Sequence, residues 1–424
     1  MTDYADIATT AVSDVQETFK RVYLMALDAV PDATPLTAQM NRSKKFRAGP
    51  DGLYFNVKLE TGGAVANVPD GKLLPRPTHP KRKQGKVDLA HTYTVVAVGG
   101  QSIPLTEENR QAFVANLQDN LEDAMIRVRN DLERQYNGDG LGILALVETI
   151  ASKPVYDVHK PYGVLGAGPG TMLFIEDMDL ACINPSGGAE RDRQKLVSVD
   201  VDAETITMGA DWTGAVIGDY IALCNDVAAT GTDAVNNYQN EAAGIQAAVN
   251  SGDTFENIDG TAYRRWNAIK MANSGTTRKI TEKLIAVLEA RLKAFSGRKP
   301  NLNYTTRGIS IDLQDQLAGL RRFTGETAVL KGGYEGLQIG GRTVLEGDWC
   351  PKQHWYCLNT DRDAVGMADL VPMGFVDLDG SRLHRVEGRH AYRSDLWFPH
   401  EALWFMRSCQ GVLQDIEDDQ TIIR

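Results

Sequence analysis

Apolar residues recur at steps of three and four over residues 5 to 29, through Ile7, Ala11, Val12, Val15, Phe19, Val22 and Ala26, with acids between them. That spacing predicts an amphipathic helix, ended by the prolines at 31 and 35. The period then changes to two. Leu53, Phe55, Val57 and Leu59 alternate with polar residues, and so do Val87, Leu89, His91, Tyr93 and Val95, which predicts two strands. Between them stand Gly62, Gly63, Pro69, Gly71, Pro75, Pro77 and Pro80. That many breakers predicts a long hairpin arm with an irregular tip, which cannot form a core alone.

The strongest helical pattern follows. Thr106 is a good N-cap, Glu107 and Glu108 suit the positive first turn, and Val114, Leu117, Leu121, Ala124, Met125, Val128 and Leu132 form one apolar stripe. Asn137-Gly138 supplies a left-handed stop. At ~1.5 Å per residue this is a rod on the order of 40 Å long, a structural spine. From Leu141 to about Lys195 apolar runs alternate with Gly and Pro, which suggests short strands and turns. Val197, Val199 and Val201, then Ile206 and Met208, read as a hairpin, and Tyr220, Ala222 and Cys224 as another strand. A small β insertion is therefore expected near residues 196–224. Helical spacing returns over 280–295 and 312–320, and the chain ends in strands over 337–345, 355–358 and 389–413.

Composition narrows the function. With 424 residues the chain exceeds one core, since cores stop growing near roughly 250–300 residues. No apolar run reaches the roughly 17–25 residues that span a bilayer, so no membrane partner is expected, and the acid-rich first 30 residues lack the pattern of a secretion signal. Five cysteines without a CxxC pair argue for reduced thiols. A net charge of -11 disfavours general binding to phosphate backbones. There is no P-loop, dinucleotide fingerprint, GxSxG elbow or HExxH, because His400-Glu401 is followed by Ala-Leu-Trp. Cys350, His354 and Cys357 are the best metal-like cluster, but their flanking pattern reads as a turn and a half-buried strand. No catalytic residue, cofactor or metal is expected.

One charged feature stands out. Lys72, Arg76, Lys81, Arg82, Lys83 and Lys86 fall in the hairpin tip, with His79 among them and no acid from 72 to 86. They invite an acidic partner, and a second copy of the chain offers Glu107, Glu108, Asp119, Glu122 and Asp123 along its spine. Nucleic acid is a weaker partner for the tip, which has no aromatic residue to stack on a base.

The order of parts, with Asn137-Gly138-Asp139-Gly140 after the spine, Tyr263-Arg264-Arg265-Trp266, Gly332-Gly333-Tyr334 and Arg389-His390-Ala391-Tyr392, resembles the major capsid proteins of tailed bacteriophages. The resemblance covers essentially the whole chain. It implies the α+β Hong Kong 97-like capsid fold, shared with encapsulins: an N-terminal arm over 1–45, an E-loop hairpin over 46–100 and a P-domain with the spine helix over 101–145. An A-domain with the β insertion would occupy 146–365, and returning P-domain strands 366–424. It implies self-assembly into hexamers and pentamers of an icosahedral virion shell, built in the host cytoplasm around double-stranded DNA bound without sequence specificity. A separate scaffolding protein, a portal and decoration or cement proteins are the implied partners. Some family members weld subunits by a Lys-Asn bond; no motif here selects a lysine for it. The competing readings are an encapsulin-like compartment and a metal-dependent enzyme using Cys350, His354 and Cys357.

Overall fold

The computed structural model describes residues 35–60, 62–70, 72–76, 78–99, 110–164, 166–318, 328–329, 335–336, 338–368, 370, 374–375, 384–385 and 391–418. The helix expected over 5 to 29 lies outside them, as do Thr106, Glu107, Glu108, Gly332, Gly333, Tyr334, Arg389 and His390.

The chain mixes helices and sheets. After a short helix α1 (Pro35–Gln39), β1 (Gly52–Lys58) and β2 (Arg82–Val87) form an antiparallel hairpin, with Leu53 opposite Val87 and Lys58 opposite Arg82. The alternation read from the sequence is real: Leu53, Phe55, Val57 and Leu59 are all buried. The partner strand was expected to run from 87 to 95. Instead it ends at Val87, and β3 (Ala90–Gly99) belongs to another sheet. The continuous period of two across Val87 and Leu89 hides that break, because a strand changing sheets keeps its alternation.

The spine, α2, spans Arg110–Asn137. Ala124, Met125, Val128 and Leu132 are buried, as their spacing requires. The left-handed stop is not at Gly138; past the end of the helix the first left-handed glycine is Gly140. The helix end is held instead by side chains. Asn137 Nδ2 donates to the Glu133 carbonyl at 2.8 Å, and buried Arg134 bridges Asp131 at 2.7 Å and also Glu241.

Residues 145–223 form a closed six-stranded barrel rather than a small insertion at 196–224. Its strands are β4 (Ala145–Ser152), β5 (Val155–His159), β6 (Asp179–Ile183), β7 (Glu190–Asp200), β8 (Thr205–Met208) and β9 (Tyr220–Leu223), in the order β8-β5-β4-β9-β6-β7. Its core includes Val147, Tyr156, Leu180, Leu196, Ile206, Trp212 and Ile221. The Trp212 N–H donates to the Tyr156 hydroxyl at 2.8 Å, and the two rings lie 4.8 Å apart. The short strands and turns expected over 141–195 are present; what their local pattern does not show is that they close with the strands over 196–223 into one barrel.

A small two-stranded unit follows the short helix α3 (Ile245–Val249): β10 (Thr254–Phe255) and β11 (Ile258–Asp259). Next come β12 (Ile269–Met271), α4 (Glu282–Ser296), β13 (Leu302–Thr305), α5 (Arg307–Ala318), β14 (Gln338–Ile339), β15 (Arg342–Glu346) and β16 (Trp355–Leu358). Finally β17 (Ala391–His400) and β18 (Ala402–Leu403) precede β19 (Gly411–Leu413). Strands β12, β19, β16, β13, β15 and β14 make one six-stranded sheet. One face carries Trp355, Cys357, Val344 and Leu413 and packs on α4 and α5. The other carries Leu302, Tyr304, Tyr356 and Leu358 and joins the main core with the spine and hairpin. Thr281 caps α4 by accepting the Leu284 N–H, and Gly297, at φ 78°, ends it. The longest pairing is β3 with β17, ten residues from Ala90 opposite His400 to Gly99 opposite Ala391.

Candidate assembly surface

The hairpin has two halves of different character. Its root is part of the main core: Phe55 meets Phe405 edge-on at 5.3 Å. Gly85 is required there, because a Cβ at 85 would stand 2.6 Å from the Phe55 ring. Leu59 N–H donates to the Lys81 carbonyl at 2.9 Å and Gly63 N–H to the Thr78 carbonyl at 3.0 Å, so the two sides continue together into the tip. Beyond the root the described tip residues are almost all exposed. Val65 is 97% exposed, Leu73 89% and Leu74 78%. Apolar side chains in water cost free energy roughly in proportion to their area, and three of them on one tip form a surface suited to being covered.

The six basic residues do not all sit at the tip. Lys72 and Arg76 do, and both are exposed. Lys81 lies beside Glu60 of the same chain at 3.0 Å. Arg82, Lys83 and Lys86 belong to β2. The Lys83 ammonium stands 5.3 Å over the Tyr263 ring, and Lys86 is 3.4 Å from Asp88. Three of the six therefore have partners within their own chain, whereas Lys72, Arg76 and Arg82 are exposed and have no ion-pair partner among the described residues. Of the acids expected to receive them, Asp123 is exposed on the spine. The backbones of Asp119 and Glu122 lie in α2, with side chains outside the described set, as Glu107 and Glu108 are altogether. The apolar tip residues were overlooked in the sequence because Val65, Leu73 and Leu74 are scattered among breakers; an apolar residue in such a segment is the signal that finds them.

Cys350, His354 and Cys357 are separated by the sheet. Cys357 faces α4 and α5 beside Trp355, whereas Cys350 belongs to the opposite core. Cys357 Sγ is 3.3 Å from the Asn303 amide oxygen. His354 Nδ1 lies 2.6 Å from the Lys352 carbonyl and its Nε2 3.1 Å from Gln414. With the two thiols in cores on opposite sides of the sheet, the three do not converge on one ion, and burial pushes both thiols up. Among the described residues no three His, Cys, Asp or Glu side chains are grouped to hold a metal, and no helix is long and apolar enough to cross a membrane.

Three buried carboxyls, invisible to a motif search, fasten separate parts of the molecule. Glu133 of the spine accepts the Leu36 N–H at 2.8 Å and the Thr37 N–H at 3.1 Å, binding α1 to α2. Glu401 accepts the Ala243 N–H at 2.9 Å and the Ala402 N–H at 3.1 Å. Glu256 accepts the Trp404 N–H at 2.9 Å. Desolvation pushes Glu133 up to about 7 and Glu401 up to about 8, and raises Glu256 well above the ordinary carboxylate range. Beside Glu401, His400 is pushed down to about 4 by burial, with Thr92 2.9 Å from its Nε2.

No protein-family model matches the sequence, and no curated protein matches it. Solved structures do resemble it over nearly all its length. The capsid asymmetric unit of Cyanophage A-1(L) is 12% identical, with a TM-score of 0.48 over 90% of this chain and 93% of that one. The holo-SrpI encapsulin complex from Synechococcus elongatus PCC 7942 is 9% identical, with a TM-score of 0.43 over 92% and 90%. Mycobacterium phage Bobi is 8% identical, with a TM-score of 0.42 over 91% of each chain.

Proposed function

We propose that this chain is the major capsid protein of a tailed bacteriophage, with the Hong Kong 97-like fold, and that it assembles with copies of itself into hexamers and pentamers of an icosahedral shell around double-stranded DNA. The observation that carries the reading is the hairpin: a root locked into the core and a tip whose Val65, Leu73 and Leu74 are exposed at 97%, 89% and 78%. A rigidly rooted arm with an apolar end is built to reach another molecule. Its outward cations, Lys72, Arg76 and Arg82, suit acids on a neighbouring copy, with Asp119, Glu122, Asp123, Glu107 and Glu108 as the receiving side. The acidic balance of -11 supports a shell that holds DNA without gripping it. Its role is structural and not enzymatic. Its place is the virion, after assembly in the host cytoplasm, and scaffolding, portal and decoration or cement proteins are further partners.

Negative-stain microscopy of the purified full chain tests this reading. Closed thin-walled shells or tubes are expected; particles of single-subunit size at every concentration would contradict it. If shells form, co-purification with a cargo enzyme in place of terminase and portal partners would move the assignment to an encapsulin-like compartment.

A further inference from the structure

The root of the hairpin is joined to the body of the chain through one residue used twice. The backbone carbonyl of Glu256 accepts the Lys86 N–H of β2 at 3.0 Å, while its side chain accepts the Trp404 N–H just past β18 at 2.9 Å. Glu256 and Asn257 are the two loop residues between β10 and β11, and both have left-handed φ, 50° and 62°. Two such residues define the type I′ hairpin turn, which favours Asn or Asp followed by Gly. A glutamate in the first place is strained, because its Cβ crowds the backbone in the left-handed region. The turn is thus held in an unfavourable conformation that aims a carboxyl inward.

Inside, the second carboxyl oxygen, Oε2, is buried and has no hydrogen-bond partner among the described residues. The charged groups around it compensate a negative charge only in part. Arg407 favours the anion, but desolvation outweighs it, and the Arg407 Nε and Nη2 are committed to Asp253 at 2.8 Å and to the carbonyls of Ala247, Ala248 and Asn250. Glu401, from the end of β17, opposes ionisation. From β2, Lys83 is engaged over Tyr263 and Lys86 beside Asp88. A carboxylate with one N–H donor in such a site is poorly stabilised, whereas a neutral acid fits.

We propose that Glu256 is a protonation-dependent fastener, holding the hairpin root to the body as a neutral acid and releasing it on ionisation. Loss of the proton to solvent leaves a buried anion, and the strained turn moves to hydrate it. The Glu256 carbonyl then leaves the Lys86 N–H and the side chain leaves Trp404, so the hairpin is attached mainly by its apolar face, with Lys83 over Tyr263 beside it. Burial, which raises the Glu256 pKa, sets the sense of the switch: fastened at lower pH, loosened as pH rises. The inference rests on how the hairpin is attached and not on what its tip meets.

Hydrogen exchange on the unassembled full chain tests it, with protection corrected for the intrinsic pH dependence of exchange. In the wild type, protection of the Lys86 and Trp404 amides should fall at least ~10-fold between about pH 6 and 9, the change that one pKa unit carries. In Glu256→Gln, which keeps an acceptor for Trp404 and does not ionise, protection of the Lys86 amide should stay level, while a residual fall at Trp404 belongs to Glu401, which accepts the nearby Ala402 N–H. Asn257→Gly, which relaxes the turn and keeps the carboxyl, should retain the wild-type dependence. Should Glu256→Gln fail to fold, the decision falls to the pattern in the wild type and Asn257→Gly: loss confined to the hairpin root supports the fastener, and equal loss at barrel amides such as Val147 overturns it. Retained pH dependence at the Lys86 amide in a folded Glu256→Gln would overturn it as well.

Discussion

The barrel over 145–223 and the hairpin over 52–87 are both antiparallel β structures, yet they use their apolar residues in opposite ways. The barrel turns its large side chains inward, with Tyr156, Leu180, Leu196, Ile206, Trp212 and Ile221 essentially inaccessible. Closure leaves it no sheet edge to be paired. The hairpin buries only its root and ends in three apolar side chains that its own chain leaves in water. The difference separates two uses: the barrel places its hydrophobic area in its own core, while the hairpin tip leaves its own exposed, which the proposed function assigns to a partner. Damage to the first should unfold, and damage to the second should leave a folded chain that fails to assemble.

The comparison breaks most sharply at Trp212. Trp212→Ala removes the largest barrel side chain and should cost about 3–5 kcal/mol, seen as a lowered unfolding midpoint. An unchanged midpoint would mean that the barrel is not a packed core.

Next in size is the clasp between α1 and the spine. Glu133→Ala strands the N–H groups of Leu36 and Thr37 and should cost ~1–3 kcal/mol for each donor left unsatisfied. Denaturant titration measures the loss, and hydrogen exchange should place it at residues 35–40.

A pH series sharpens the contrast between buried carboxyls and the exposed tip. Glu133, held up to about 7, and Glu401, held up to about 8, have folded values above the ordinary 4.5. Their contribution is complete below about pH 4.5 and is lost as pH rises through 7 to 8. His400, pushed down to about 4 from 6.5, acts on the other flank, since protonating it below pH 6.5 favours the unfolded chain. Thermal midpoints should therefore fall on the alkaline side, and Glu401→Gln should flatten that arm. A midpoint rising steadily from pH 5 to 9 would contradict these assignments.

The smallest effect belongs to the tip charges. Lys72→Glu with Arg76→Glu should leave stability within about 0.5 kcal/mol, because exposed positions away from a core add little. Each exposed ion pair with a neighbour contributes only about 0.2–1 kcal/mol, but repetition around a shell multiplies it. Light scattering at low salt should show a raised concentration for assembly. These two residues make a cleaner test than Lys81 and Lys83, which have partners in their own chain.

Much of this molecule could be read in the sequence where one period ran unbroken. The alternation of Leu53, Phe55, Val57 and Leu59 marked β1 and its buried face, and the spacing of Met125, Val128 and Leu132 marked the buried stripe of the spine. What escaped was non-local. The barrel closes through pairs between strands far apart in sequence, and β3 leaves the hairpin for β17 some 300 residues on, at Ala391–His400, without any local mark. The fastening carboxyls escaped for another reason: an acid in sequence reads as exposed, and only tertiary packing shows that Glu133, Glu256 and Glu401 are enclosed. Lys83 and Lys86 were grouped with the tip by charge alone, although the ladder places them at the root.

The central claim, that the hairpin tip and not the barrel joins one copy to the next, is tested most directly by sedimentation velocity of the double variant Leu73→Ser with Leu74→Ser beside the wild type. The account predicts large closed assemblies for the wild type, and for the variant single subunits with an unchanged circular dichroism spectrum and unfolding midpoint. Wild-type assembly by the double variant at the same protein concentration would contradict it.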